Sequence, residues 1–253
     1  MRRFLAAYAA AAYLFLYVPL AVLGLFSFNS SKIAVWRGFT FDWYRGVFHN
    51  PALFEGAMNS LVIALAATAV STVIGTLAGY ALWKKRSPWL TNALYMSLLA
   101  PEIVTGVSLL ALFEWVFRFG HLRLGLHTVI LAHISFSLVY VVIVILARLR
   151  TFDPALEEAA SDLGANRWQV FRHVTIPLLM PAILAAALLC FTVSFDDYVI
   201  TSLVAGVDSE TLPMMIYAMA RKGVSPEVNA LSAMITTGLG VLVLLASRLE
   251  RSR

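Results

Sequence analysis

The sequence is poor in charged residues and in cysteine. Only 13% of its 253 residues are Asp, Glu, Lys or Arg, whereas soluble domains carry roughly 25%. The single cysteine, Cys190, excludes a disulfide within the chain and any paired-cysteine metal motif. Because 60% of the residues are hydrophobic and the mean hydropathy is +0.82, the composition predicts a polytopic membrane protein.

Motifs for ATP binding and for several catalytic chemistries are also missing. The chain has no G-x-x-x-x-G-K-[ST] phosphate loop, so it lacks the standard means of holding ATP. It has no G-x-S-x-G nucleophile elbow and no H-E-x-x-H zinc motif. We therefore predict no catalytic residue, no metal site and no cofactor bound by this chain. Its net charge of +5 is spread between apolar runs, so we predict no nucleic-acid partner.

Six apolar runs are long enough to cross a bilayer. They cover approximately residues 4–28, 59–83, 90–117, 126–147, 178–200 and 230–249. The third run is interrupted at Ala100-Pro101-Glu102, where proline bends a helix. In the second run Ser71, Gly75 and Gly79 recur every four residues, which favours close packing against another helix. We predict an all-α membrane protein in which residues 1–253 form one transmembrane domain of six helices.

Lysine and arginine concentrate on one side of this layout. Residues 2–3, 84–86 and 148–150 carry clusters of positive charge at the ends of apolar runs. By the positive-inside rule this side is cytoplasmic. The prediction is a multi-pass membrane protein with both termini in the cytosol.

Residues 153–173 are polar and charge-mixed, unlike the apolar runs on either side. Asp153 is a favourable N-cap residue for a helix, and Gly164 readily adopts the left-handed conformation that ends one. Asn166 followed by Gln169 has the spacing of a capping box. The segment therefore predicts a helix, a glycine corner and a second helix on the cytoplasmic side. An amphipathic helix lying on the membrane surface is the alternative.

The same segment carries a family resemblance. Glu158-Ala159-Ala160, then Gly164, then Val174-Thr175-Ile176-Pro177 resemble the EAA loop of ATP-binding-cassette importer permeases. That pattern is EAA, three residues, Gly, nine residues and I-x-L-P, so this chain differs by Val for Ile and Ile for Leu. The resemblance implies the type I importer permease fold, with the loop as a coupling helix that docks on an ATPase subunit holding ATP and Mg²⁺. The implied coupling residues are Glu158, Ala159, Ala160, Leu163, Gly164 and Ala165.

Further segments narrow the resemblance to one branch of these permeases. Residues 28–32, 101–106, 194–197, 212–217 and 223–231 look like the second permease subunit of spermidine/putrescine importers. This implies a second permease, two ATPase subunits and a periplasmic or lipid-anchored polyamine-binding protein as partners, and a bacterial inner membrane as the location. The alternatives are a permease for another small cationic or organic solute, a self-contained secondary transporter, and a membrane-embedded enzyme.

Two aspartates at the end of the fifth run are candidate substrate contacts. Asp196 and Asp197 carry adjacent carboxylates that attract a cation or an ammonium group. Phe195 and Tyr198 beside them offer cation–π contact. The alternative is that one aspartate caps the next helix and the other faces external water.

Two more ionisable residues fall within the apolar runs. Glu102 follows Pro101 at the interruption of the third run, where a carboxylate at a broken helix suits a cation. The alternative is a glutamate satisfied by a partner at the bend. His133 lies inside the fourth run, and we predict that it is a satisfied hydrogen-bonding residue between helices.

Overall fold

The computed structural model of the protein describes residues 2–31, 35–118, 120, 123–223 and 225–251. Nearly all of the regular secondary structure in these described residues is helical. The helices are α1 (Arg2–Phe26), α2 (Asp42–Phe48), α3 (Pro51–Lys85), α4 (Pro88–Leu99), α5 (Glu102–Phe117), α6 (Leu126–Leu149), α7 (Ala155–Asp162), α8 (Arg167–Val170), a wide π-helical turn (Phe171–Thr175), α9 (Ile176–Asp196), α10 (Val199–Val204), α11 (Leu212–Arg221) and α12 (Pro226–Arg251).

The chain divides into two compact units, Met1–Gly56 with Leu212–Arg253 and Ala57–Thr211. In the first unit, Asn29 organises the segment that follows α1. Its Oδ1 accepts hydrogen bonds from the backbone N–H groups of Ser31 (3.3 Å) and Arg37 (3.1 Å). The indole N–H of Trp43 donates to the Asn29 carbonyl at 2.7 Å. These bonds fix Ser31, Arg37 and Trp43 around Asn29.

In the second unit, α3 packs closely against α6 through the small residues predicted from the sequence. Ser71 is fully buried on this face. A Cβ added to Gly75 would lie 2.7 Å from Val141, and one added to Gly79 would lie 2.9 Å from Ile145. Only glycine leaves room for such an approach. Because the contacts advance in the same direction along both helices, α3 and α6 are parallel.

Helix α9 runs antiparallel to α6. His133, near the start of α6, contacts Ser194 near the end of α9. Leu149, at the end of α6, packs in one buried cluster with Leu179 near the start of α9. The C-terminal ends of α3 and α6 and the start of α9 therefore lie together with α7 and α8, and we call this the loop end of the unit.

Several predicted spans differ in their bounds from the helices observed; α3, for example, begins at Pro51, eight residues before the predicted second span. The predicted third span, 90–117, consists of α4 and α5, which are bent by 105°. The bend falls at Pro101, because proline disfavours helical geometry in the residue before it and Ala100 is extended. Within the predicted fifth span, α9 ends at Asp196 rather than at Ile200, and Asp197 has extended backbone angles.

Among the described residues, four helical stretches are long and apolar enough to cross a membrane, or five if α4 and α5 form one span. They are Phe4–Phe26, Pro51–Lys85, Leu126–Leu149 and Arg167–Asp196. The predicted sixth span corresponds to α12, which begins at Pro226, four residues earlier than predicted. Over its described residues α12 is not among these stretches.

Candidate functional site

The glycine corner predicted at the end of α7 is present. Gly164 has φ +89°, in the left-handed region that glycine occupies without strain. The Gly164 N–H donates to the Ser161 carbonyl at 2.9 Å, and the Ala165 N–H donates to the Ala160 carbonyl at 3.1 Å. These two bonds form a Schellman cap and satisfy carbonyls that the helix end would leave unpaired. The prediction for Gly164 is confirmed.

The starts of α7 and α8 are also fixed by their own side chains. Asp153 Oδ1 accepts a hydrogen bond from the Ala155 N–H at 3.0 Å. At α8, Asn166 Oδ1 accepts from the Gln169 N–H at 3.0 Å, and Gln169 Oε1 accepts from the Asn166 N–H at 2.8 Å. This reciprocal pair is a capping box, as the spacing predicts. The segment from Asp153 to Gln169 is therefore a helix, a sharp corner and a second helix start with locally determined geometry.

The apolar stripe of α7 faces outward. Leu163 is 91% exposed and Leu156 is 46% exposed. Ala159 is exposed and Ala160 is half-buried between them. Trp168, on α8, adds a ring that is 64% exposed. A short polar segment rarely leaves so much apolar surface together without a partner that covers it.

The adjacent face of α7 buries Glu157, which the sequence reasoning passed over in favour of Glu158. Lys84, at the end of α3, forms an ion pair with the Glu157 carboxylate. The Thr175 hydroxyl donates to it at 2.6 Å and the Tyr80 hydroxyl at 3.2 Å. Glu158 is exposed. Because Lys84 precedes Glu157 by 73 residues, no short-range pattern in the sequence links the two side chains.

The three donors decide the charge of Glu157. Burial raises the pKa of this carboxyl, but the hydrogen bonds from Lys84, Thr175 and Tyr80 outweigh burial and hold the pKa below its ordinary value. A lowered pKa means that the charged form stabilises the folded state above the ordinary pKa of glutamate. This contribution is lost as the pH falls through the lowered value. At neutral pH Glu157 is therefore a charged and satisfied group.

At the opposite end of the unit, Asp197 caps α10. Its Oδ2 accepts hydrogen bonds from the Thr201 N–H at 2.8 Å and from the Thr201 hydroxyl at 2.7 Å. His133 Nε2 lies 3.5 Å from the same oxygen and 2.9 Å from the Thr201 hydroxyl. His133 Nδ1 lies 2.7 Å from the Ser194 hydroxyl. The prediction that His133 is a hydrogen-bonding residue between helices is confirmed.

Asp196 is left exposed beside this cluster, at the last position of α9. The Phe195 ring stacks on Phe191 with 5.7 Å between centroids, and Tyr198 is half-buried. The two aspartates thus have different surroundings. The alternative weighed from the sequence, one capping and one exposed aspartate, describes their positions.

Glu102 is the exposed first residue of α5. Gly106, one turn later, packs against α10, and a Cβ at Gly106 would lie 3.4 Å from the Ile200 Cα. Glu102 and Asp196 are thus both exposed carboxylates of the second unit.

Comparison with known proteins identifies the family. The family model described as "binding-protein-dependent transport system inner membrane component" matches residues 71–251. The chain belongs to this family. Membership confirms the prediction of a membrane transport component rather than an enzyme.

Curated relatives match nearly the whole chain. The spermidine/putrescine transport system permease protein PotC of Escherichia coli (strain K12) is 39% identical over 243 residues, covering 94% of this chain and 90% of the relative. The PotC protein of Haemophilus influenzae is 40% identical over 237 residues, covering 92% and 91%. The putrescine transport system permease protein PotI of Escherichia coli (strain K12) is 38% identical over 253 residues, covering 94% and 89%.

Solved structures confirm the fold of an ABC importer permease. A chain of the bacterial alginate ABC transporter, in complex with an alginate pentasaccharide-bound periplasmic protein, superposes with TM-score 0.77 at 18% identity, covering 99% of this chain and 93% of that chain. A chain of the MetNI methionine ABC transporter, in an inward-facing conformation, superposes with TM-score 0.67 at 17% identity, covering 79% and 95%. At these identities the likeness concerns the fold alone.

Proposed function

We propose that this protein is a permease subunit of an ATP-driven polyamine importer. The observation that carries the proposal is the 39% identity to a spermidine/putrescine permease over 94% of the chain. The proposed partners are a second homologous permease, two ATPase subunits and a periplasmic or lipid-anchored polyamine-binding protein. In this assembly the two permeases form the path, and the ATPases hold ATP and Mg²⁺.

The proposed coupling element is α7 with its glycine corner. Leu156 and Leu163 present apolar surface beside a short helix whose backbone is fixed at both ends. Such a surface suits a groove on an ATPase subunit, with Glu158 and the alanines of the EAA pattern at the contact. ATP binding closes the ATPases, α7 moves with them, and the cavity between the permeases turns from inward-facing to outward-facing. Coupling of this kind requires contacts that differ between the two states.

We further propose six spans with both termini in the cytosol, with α12 as the last span. The parallel arrangement of α3 and α6 supports this, because both helices then end on one side. The basic residues 84–86 and 148–150 follow at that side, where the positive-inside rule puts the cytoplasm. The loop end of the second unit then faces the compartment that contains ATP.

Transport by the reconstituted assembly tests the proposal. The protein is co-expressed with the proposed second permease, ATPase and binding protein, and the complex is placed in liposomes. We expect uptake of radiolabelled putrescine or spermidine that requires both ATP and the binding protein. Uptake by this chain alone under an ion gradient would favour a secondary transporter, and ATP-driven uptake of a different solute only would favour the alternative cargo.

The two aspartates are expected to respond differently to substitution. Asp196→Asn removes an exposed carboxylate of the proposed path, so polyamine uptake should fall roughly tenfold, with little change in melting temperature. Asp197→Asn weakens the cap of α10 and its contact with His133, so it should cost about 1–3 kcal/mol of stability. Uptake assays and thermal melts of the purified complex measure the two effects.

Asp208→Asn is the matched control, because Asp208 is an exposed aspartate in a turn with φ 60°, which asparagine tolerates. It should change neither uptake nor melting temperature. Unaltered uptake in Asp196→Asn would remove Asp196 from the proposed path.

A further inference from the structure

Glu157 is the one buried residue of the surface helix α7, with 5% of its area exposed. Its carboxylate joins three elements of the chain. Lys84 and Tyr80 reach it from the last turns of α3, and Thr175 reaches it from the turn that leads into α9. Both Glu157 oxygens are bonded, Oε2 to Lys84 and Oε1 to Thr175 and Tyr80.

Aromatic packing supports the same junction. The Tyr80 ring lies 4.8 Å from the Phe171 ring, which belongs to the turn before α9. The Lys84 ammonium lies 4.8 Å from the centroid of the Trp83 ring. Thr175 is fully buried. Removing one partner of a buried, hydrogen-bonded charge leaves the other groups unsatisfied. Separating α7 from α3 or from the turn before α9 is therefore energetically costly.

We propose that Glu157 is a positioning residue that fastens α7 to α3 and α9 at once. The proposal rests on the coupling role proposed for α7. A push on the exposed face of α7 is then delivered to the C-terminal end of α3 through Lys84 and to the N-terminal end of α9 through Thr175. Without the carboxylate, α7 remains attached to α9 through the chain and loses its ion pair and hydrogen bond to α3. Glu157 thus makes two membrane helices respond together to one docked partner.

The contact with Thr175 allows a nearly isosteric test. Thr175→Val removes the hydroxyl and keeps the shape, whereas Thr175→Ser keeps the hydroxyl. In the reconstituted complex we expect roughly a tenfold fall in solute transported per ATP hydrolysed for Thr175→Val, a size typical of coupled neighbours. Thr175→Ser should stay near the wild-type ratio. Because a loss of folding lowers both transport and hydrolysis, this ratio reports coupling.

The ion pair allows a test by charge reversal. Glu157→Lys and Lys84→Glu should each lower transport per ATP by roughly tenfold or more, and the double variant should recover most of it. Lys85→Gln is the control, since Lys85 is the exposed neighbouring cation at the same helix end, and it should behave as wild type. Gel filtration and thermal melts establish that each variant assembles.

The outcomes separate the two proposals. If the wild-type complex shows no ATP-driven uptake, the proposed function fails and the role of Glu157 fails with it. If the wild-type complex transports but Thr175→Val, Glu157→Lys and Lys85→Gln all keep its ratio, the positioning role alone is overturned. A charge-reversed double variant that assembles but is no better than its single variants would also overturn it.

Discussion

Replacing Gly164 by aspartate is expected to abolish ATP-driven uptake while the protein still inserts into the membrane. Gly164 has φ +89°, and no atom outside its immediate neighbours lies within 4 Å of where a Cβ would stand. The chain by itself therefore accommodates a side chain at a conformational cost of about 1–2 kcal/mol. If the corner docks on an ATPase as proposed, the new carboxylate beside Leu163 prevents the close approach of the ATPase surface. Uptake and ATPase assays of the reconstituted complex measure the loss.

Gly223→Asp is the control for this variant. Gly223 has φ +125° and likewise no neighbour within 4 Å of an added Cβ. It therefore carries the same kind of backbone strain and the same added charge at a position that belongs to the first unit rather than to the unit that contains α7. We expect Gly223→Asp to retain uptake. Equal loss in both variants would attribute the effect of Gly164→Asp to strain, and normal uptake in Gly164→Asp would contradict the coupling role of the corner.

Replacing Leu163 by glutamate is expected to release the ATPase from the complex. Leu163 is 91% exposed in the chain, so its side chain contributes almost nothing to the fold by itself. If a partner buries it, the substitution loses about 1.5–3 kcal/mol of apolar burial and adds the desolvation of a charge. Because 1.4 kcal/mol is a factor of ten, association should weaken at least about tenfold. Retention of the ATPase subunit during affinity purification of the permease measures this association.

Val207→Glu controls for the introduction of a charge at an exposed apolar residue. Val207 is 86% exposed and follows α10, at the other end of the second unit from α7. The variant should retain the ATPase, and both variants should keep the thermal stability of the isolated permease. Retention of the ATPase at wild-type levels in Leu163→Glu would remove α7 from the docking surface.

The sequence predicts the features that depend on short-range rules. The left-handed Gly164 and the Asn166–Gln169 capping box follow from helix-end chemistry within a few residues, and both are present. The close packing at Gly75 and Gly79 follows from helical spacing. These rules act within one or two turns, so no knowledge of the tertiary structure is needed to apply them.

The features that the sequence does not reveal depend on partners distant along the chain. Glu157 and Glu158 are neighbours of one type, and only the tertiary packing turns Glu157 toward Lys84 and leaves Glu158 exposed. Asp196 and Asp197 differ in the same way, because Asp197 accepts a hydrogen bond from Thr201 and contacts His133 on another helix, whereas Asp196 does not. The 105° bend at Pro101 exceeds what a proline alone dictates.

Photo-cross-linking from Leu163→Cys tests the central claim most directly. The chain has one native cysteine, Cys190, which is buried, so the introduced thiol is the accessible site for a benzophenone maleimide. The account predicts that a membrane-impermeant, charged maleimide blocks this thiol in inverted membrane vesicles but not in intact spheroplasts, and that illumination after benzophenone labelling joins the permease to the ATPase subunit. Labelling from the outside, or inside labelling with adducts to lipid alone, would contradict it.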